Sequence, residues 1–149
     1  MKKSPGMIDV GQKSKTQREA TARIFVRLPD DIAEKIKKDT IPKGNVLETA
    51  RVAGIMAAKK TDEWIPLCHN IELDYVNVEF TFKKEGLLIK SRVKSTARTG
   101  VEMEAMLACS AAALTVYDMC KMFSKSIEIM DLYLLEKRGG KSGHYQRKV

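Results

Sequence analysis

A chain of 149 residues with 44% hydrophobic and 31% charged side chains fills one domain and is too apolar to be disordered. Its net charge of +8 asks for an anionic partner: a nucleic acid, a phosphorylated small molecule or an anionic membrane surface. Three cysteines (Cys68, Cys109, Cys120) in no tight spacing argue against a disulfide framework and for a reducing, cytoplasmic compartment.

Residues 1–17 are polar and lysine-rich and read as a flexible arm, with no apolar run that would make them a secretory signal. "ATARIFVRL", Ala20 to Leu28, alternates apolar and polar residues as a strand does. "PDDIAEKIKKD" opens with Pro29 and Asp30, which suit a helix start, and "TIPKGN" breaks that helix. Asn45 is a cap for a second helix, "VLETARVAGIMAAKK", whose Val46, Ala50, Ala53, Gly54 and Ala57 form a face of small side chains open to close approach. "TDEWIPLCHN" is irregular. "IELDYVNVEFTF" and "GLLIKSRVKST" are strands joined by "KKEG", a four-residue hairpin connection. A long helix runs from Gly100 to about Met122, and "SIEIMDLYLLEK" is the last strand. The segment 137–149 is Gly- and Lys-rich and expected to be flexible. Strand, helix pair, two strands, helix, strand is the order of a ferredoxin-like α+β fold: an antiparallel sheet with helices on one face, in a single domain spanning 1–149.

The long helix is apolar on two sides. Met103, Glu104, Leu107, Ala111, Leu114, Asp118, Lys121 and Met122 fall on one stripe, and Ala105, Cys109, Ala112, Val116, Cys120 and Phe123 on the other. One stripe can lie on the sheet; in a domain this small the other packs most simply against a second copy of the chain. Asp118 and Lys121 are therefore expected at the edge of a dry region. They are either a packing salt bridge or an acid–base pair.

Other stretches carry weaker signals. "PLCHN" sets Cys68 beside His69, either a turn or, less naturally, a thiol nucleophile with its base. Neither it nor any other stretch has zinc-like spacing, so no metal site is expected. "KRGGKSG", Lys137 to Gly143, lacks the first glycine of a P-loop, yet its glycines, Lys137 and Lys141 could still wrap a phosphate. Lys43 before one helix start and Arg98 before another join cations to helix N-termini, and Arg18 adds a third cation. Such cations suit a polyphosphate pocket better than a nucleic-acid face, which would interleave exposed aromatics; a basic RNA-binding module is the alternative.

"KGNVLETARVAGIMAAKKTDEWIPLCH", "TGVEMEAM", "AALTVYDMCK" and "LLEKRGGKSG" together resemble the MoaC family, the cyclic pyranopterin monophosphate synthases of molybdenum cofactor biosynthesis, from about Met7 to Gly143. The resemblance implies a ferredoxin-like fold and a hexamer built as a trimer of dimers, with its active site at a subunit interface. It also implies a lyase that rearranges 3′,8-cyclo-7,8-dihydroguanosine 5′-triphosphate and releases pyrophosphate, without a cofactor except Mg²⁺ that can accompany the triphosphate. Neither nucleic acid nor membrane is then a partner. By motif, Asp118 and Lys121 resemble the family's acid–base pair and Lys43 its catalytic or phosphate-contacting lysine. Leu67, Cys68, His69, Met103 and Glu104 resemble substrate contacts, Lys137 and Lys141 loop lysines, and Arg18 a triphosphate-contacting arginine. Asn70 stands where the family usually has proline, and Arg138 where it has a small Ser or Thr.

Overall fold

The computed structural model describes residues 2–148. The elements are β1 (Thr16–Arg27), α1 (Asp30–Lys37), α2 (Val46–Lys59), a one-turn α3 (Thr61–Trp64), β2 (Tyr75–Lys83), β3 (Gly86–Ala97), α4 (Glu102–Cys120), β4 (Glu128–Arg138) and a two-residue β5 (Tyr145–Gln146). All paired strands are antiparallel, in the order β2-β3-β1-β4-β5. β3 thus lies between β1 and β2, the split arrangement expected of the ferredoxin-like fold.

Strand period and register place the core. Ala20, Ala22, Ile24 and Val26 of β1 pair with Val93, Ser91, Ile89 and Leu87 of β3, and all eight are buried on the face that takes the helices. Burying a Val, Leu or Ile contributes roughly 1.5–3 kcal/mol, so this face anchors the domain. α4 buries Ala105, Ala108, Cys109, Ala112, Ala113, Val116 and Cys120 between the sheet and α2. Length and composition alone would let α4 cross a membrane, but half of it is buried inside the domain. It is a core helix.

α2 runs antiparallel to α4, and their approach rests on Gly54. A Cβ there would stand 2.9 Å from the Ala108 carbonyl oxygen and 2.9 Å from Val78 Cγ2. The small face expected on α2 is narrower than the five residues named: Val46, Ala50, Gly54 and Ala58 are buried, whereas Ala53 and Ala57 are half-exposed. Asn45 caps α2 as expected, its side chain accepting from the Glu48 N–H at 2.9 Å.

Several boundaries shift. β1 begins at Thr16, before Ala20, because it pairs with β3 out to Ala97. The hairpin loop is two residues, Lys84 and Glu85, rather than four, since Lys83 and Gly86 already pair. "TDEW" forms the short helix α3, tied to the end of α2 by the Thr61 hydroxyl donating to the Ala58 carbonyl at 3.0 Å. β4 slips register twice against β1, once where Asp131 adopts φ 55°. Each slip re-aims the side chains beyond it.

Candidate active site

The two ends of α4 carry two separate groups of candidate residues. At its C-terminal end, Asp118 stands between two ammonium groups. Lys121 Nζ lies 3.0 Å from Asp118 Oδ1, one helical turn away. Lys43 Nζ reaches across from the loop before α2 and donates to Asp118 Oδ2 at 3.0 Å and to the Asp118 carbonyl at 3.2 Å. The turn that presents Lys43 is closed by the Gly44 N–H donating to Ile41 O, with Gly44 at φ 112°, and the Asn45 cap follows at once. The hydrogen bond from Lys43, then that from Lys121, holds the Asp118 carboxyl below its usual range. Asp118 is therefore ionised at neutral pH, fit to accept a proton, with two lysines beside it able to donate.

The expected dry surroundings of this group are not present within one chain. The Asp118 side chain is 56% exposed and Leu114, on the same stripe, is 60% exposed. α4 gives its opposite stripe to the sheet, and beside Leu114 the β4 residues Met130, Asp131 and Leu132 line an open pocket that leaves Leu114 exposed.

At the N-terminal end of α4, Leu67, Cys68, His69, Met103 and Glu104 line one cleft of about 290 Å³. That is just under the roughly 300–1,000 Å³ usual for small-molecule pockets. Glu104 is 4% exposed, and burial pushes its pKa up to about 7. It can hold a proton near neutrality. The Cys68 thiol is raised too, by burial first and then by the charges of Glu104 and Asp62, the reverse of what a thiolate nucleophile requires. Asn70 donates to Asp62 Oδ2 at 3.1 Å and so pins this turn to α3.

Arg18 belongs to the same end of the molecule. It is 9% exposed and donates through Nε to Ala97 O at 3.3 Å and through a terminal nitrogen to Arg98 O at 3.2 Å. No carboxylate pairs with it among the described residues. Gly140, at φ 80°, lies directly over its guanidinium, leaving no room for a side chain. The Gly-rich loop carrying exposed Lys141 is thus seated on Arg18, while Lys137 donates to the Ser142 hydroxyl. Arg138 pairs with Glu136 Oε1 at 2.7 Å instead of adding a free charge.

Glu104 and Asp118 stand fourteen positions apart on α4, a rise of roughly 20 Å at 1.5 Å per residue. One chain therefore brings together Lys43, Asp118 and Lys121, and separately the cleft residues with Arg18 nearby, but does not join the two groups. Sequence reasoning missed Ile8, Val10, Lys13 and Thr99, which also line the cleft. The one signal for them is the trio Met7, Ile8 and Val10, apolar residues in an otherwise polar arm.

Among known proteins, the model of the MoaC family matches residues 7–140. The chain belongs to the MoaC family. It is 51% identical over 144 residues to the cyclic pyranopterin monophosphate synthase of Heliobacterium modesticaldum, covering 95% of this chain and 91% of that protein. The enzyme of the same name from Geobacillus thermodenitrificans is 49% identical over 147 residues, covering 96% and 91%. That from Chloroflexus aggregans is 51% identical over 144 residues, covering 95% and 87%. MoaC membership sets this chain in molybdenum cofactor biosynthesis, and nothing in these likenesses favours the RNA-binding alternative.

Proposed function

We propose that the protein is a cyclic pyranopterin monophosphate synthase, a phosphorus–oxygen lyase. It would convert 3′,8-cyclo-7,8-dihydroguanosine 5′-triphosphate into cyclic pyranopterin monophosphate and pyrophosphate. The observation that carries the reading is the Asp118 carboxylate held ionised between Lys43 and Lys121. Opening and reclosing a purine-derived ring requires repeated proton transfers. A carboxylate with two adjoining ammonium groups can take a proton at one oxygen and return another from nitrogen. Closing a cyclic phosphate needs an alkoxide to attack the α-phosphorus while the bond to pyrophosphate breaks, and lysines nearby stabilise the charge that develops on the leaving group.

The cleft at the other end of α4 suits the ring of the substrate better than its phosphates. It carries the carboxyls of Glu102 and Glu104, acceptors for ring and amino N–H groups and poor company for a triphosphate. The triphosphate would then fall to the Lys141 loop and its neighbours. Since the two groups of residues lie about 20 Å apart along one helix, a single substrate can meet both only where two copies of the chain meet. We therefore read the active site as composite, in a homo-oligomer whose contact covers the exposed Leu114 stripe, with a hexamer as the assembly. Three free cysteines fit a cytoplasmic location.

The test is direct. Purified protein incubated with the cyclised GTP intermediate is expected to release one pyrophosphate per cyclic phosphate formed. Substrate recovered unchanged from a folded, oligomeric preparation would reject the reading.

A further inference from the structure

Residues 7–13 form no helix or strand, and Ile8 is 72% exposed, so burial does not hold this segment in place. Backbone acceptors do. The Ile8 carbonyl oxygen lies 2.7 Å from His69 Nε2, and the Lys13 carbonyl accepts from Arg98 Nε at 3.1 Å. Between the two anchors the chain folds on itself, with the Lys13 N–H donating to Val10 O at 3.0 Å and the Gly11 N–H to Asp9 Oδ1 at 2.8 Å. One anchor comes from the turn carrying Cys68 and the other from the loop that leads into α4. Those are the two banks of the cleft, and Ile8, Val10 and Lys13 line it between them.

We propose that residues 7–13 are a working wall of the ring-binding cleft, and that the Ile8 carbonyl positions His69 there in a single tautomer. This rests on the function proposed above for the identity of what the cleft holds, though not for the wall itself. A carbonyl oxygen only accepts, so the proton of neutral His69 sits on Nε2 and Nδ1 is left with its lone pair. A histidine so held can accept a hydrogen bond from a ring N–H of the ligand, in a cleft where Glu104 offers the other acceptor. Lys13 brings a cation to a cleft that also holds the carboxyls of Glu102 and Glu104, offsetting the negative charge of Glu102.

The chain has two histidines, so His144→Gln leaves His69 as the single imidazole to observe. In that background, imidazole ¹⁵N shifts are expected to show one protonated and one bare nitrogen. Deleting residues 2–9 should average the two signals toward a tautomer mixture. The same deletion should raise KM for the cyclised GTP intermediate about tenfold or more while kcat falls less, because a positioning contact is lost and Asp118 is untouched. As a check that does not depend on turnover, His69→Ala should speed limited tryptic cleavage after Lys13 and Lys15 several-fold. Unchanged tautomer, kinetics and cleavage would overturn the wall. A wild-type chain that converts no substrate, yet shows the single tautomer and the protected segment, would instead overturn the function.

Discussion

Lys43 Nζ bonds two oxygens of Asp118 at once, the carbonyl and carboxylate Oδ2, and so ties the loop before α2 to the far end of α4. A double contact fixes the lysine in direction as well as distance. Ion pairs this exposed contribute no more than about 1 kcal/mol to stability, so a catalytic role explains the arrangement better than a structural one. Asp118→Asn keeps the shape, removes the charge and takes away a proton acceptor. Its kcat should fall by roughly 10²–10⁴. Its melting temperature should stay close to wild type, with pyrophosphate release and a thermal melt as the measurements.

Glu104 gives a pH-dependent stability of opposite sign to that of an ordinary paired carboxylate. Its pKa rises from the usual 4.5 to about 7 on folding, because burial disfavours the ionised form. Between those values the folded chain keeps a proton that the unfolded chain has released, so stability falls as pH rises through that window. The full loss is on the order of 3 kcal/mol, reached above pH 7. Glu104→Gln cannot ionise. It should match wild type in urea unfolding near pH 4.5 and exceed it near pH 8. A wild-type unfolding midpoint that does not move between these pH values would refute the assignment.

How far the sequence carries depends on whether the signal is local. Asn45 before an apolar helix, alternation in Ala20–Val26, and the βαββαβ order all act through neighbours in sequence, and the structure bears them out. The Lys121–Asp118 contact was legible as well, because three residues make one helical turn. Lys43 was tied to Asp118 through the family resemblance, since 75 residues of chain separate them. The register slip at Asp131 left no mark, for aspartate tolerates the left-handed region without the glycine that would announce it. Asp118 was expected at the edge of a dry region beneath a second copy of the chain; helical periodicity reports which side of α4 is apolar, not what covers it.

Gly54 should be hard to replace. A methyl group there meets a backbone oxygen of α4 and a β2 side chain at 2.9 Å, and neither can retreat without moving its element. Overpacking of this kind costs about 1–3 kcal/mol, against a gain of about 1 kcal/mol from alanine's better helix propensity. Gly54→Ala should therefore lower the melting temperature by several degrees, and Gly54→Val by more. Both should also weaken activity, because Lys43 and Asp118 sit at the end of the same helix pair.

The separation of the two candidate groups along α4 permits a test of where the reaction happens. Asp118→Asn and Glu104→Gln each remove one half of the proposed site, and each preparation alone should be nearly inactive. If each site draws Asp118 from one chain and Glu104 from its neighbour, mixing the two variants after dissociation and reassembly creates some sites with both halves intact. Random pairing would restore up to about a quarter of wild-type activity. The double variant mixed with either single variant should restore none, because no pairing then supplies both residues. If both halves served one substrate from within a single chain, the first mixture would stay as inactive as its parts, and the roughly 20 Å along α4 would have to be bridged by some rearrangement of the fold.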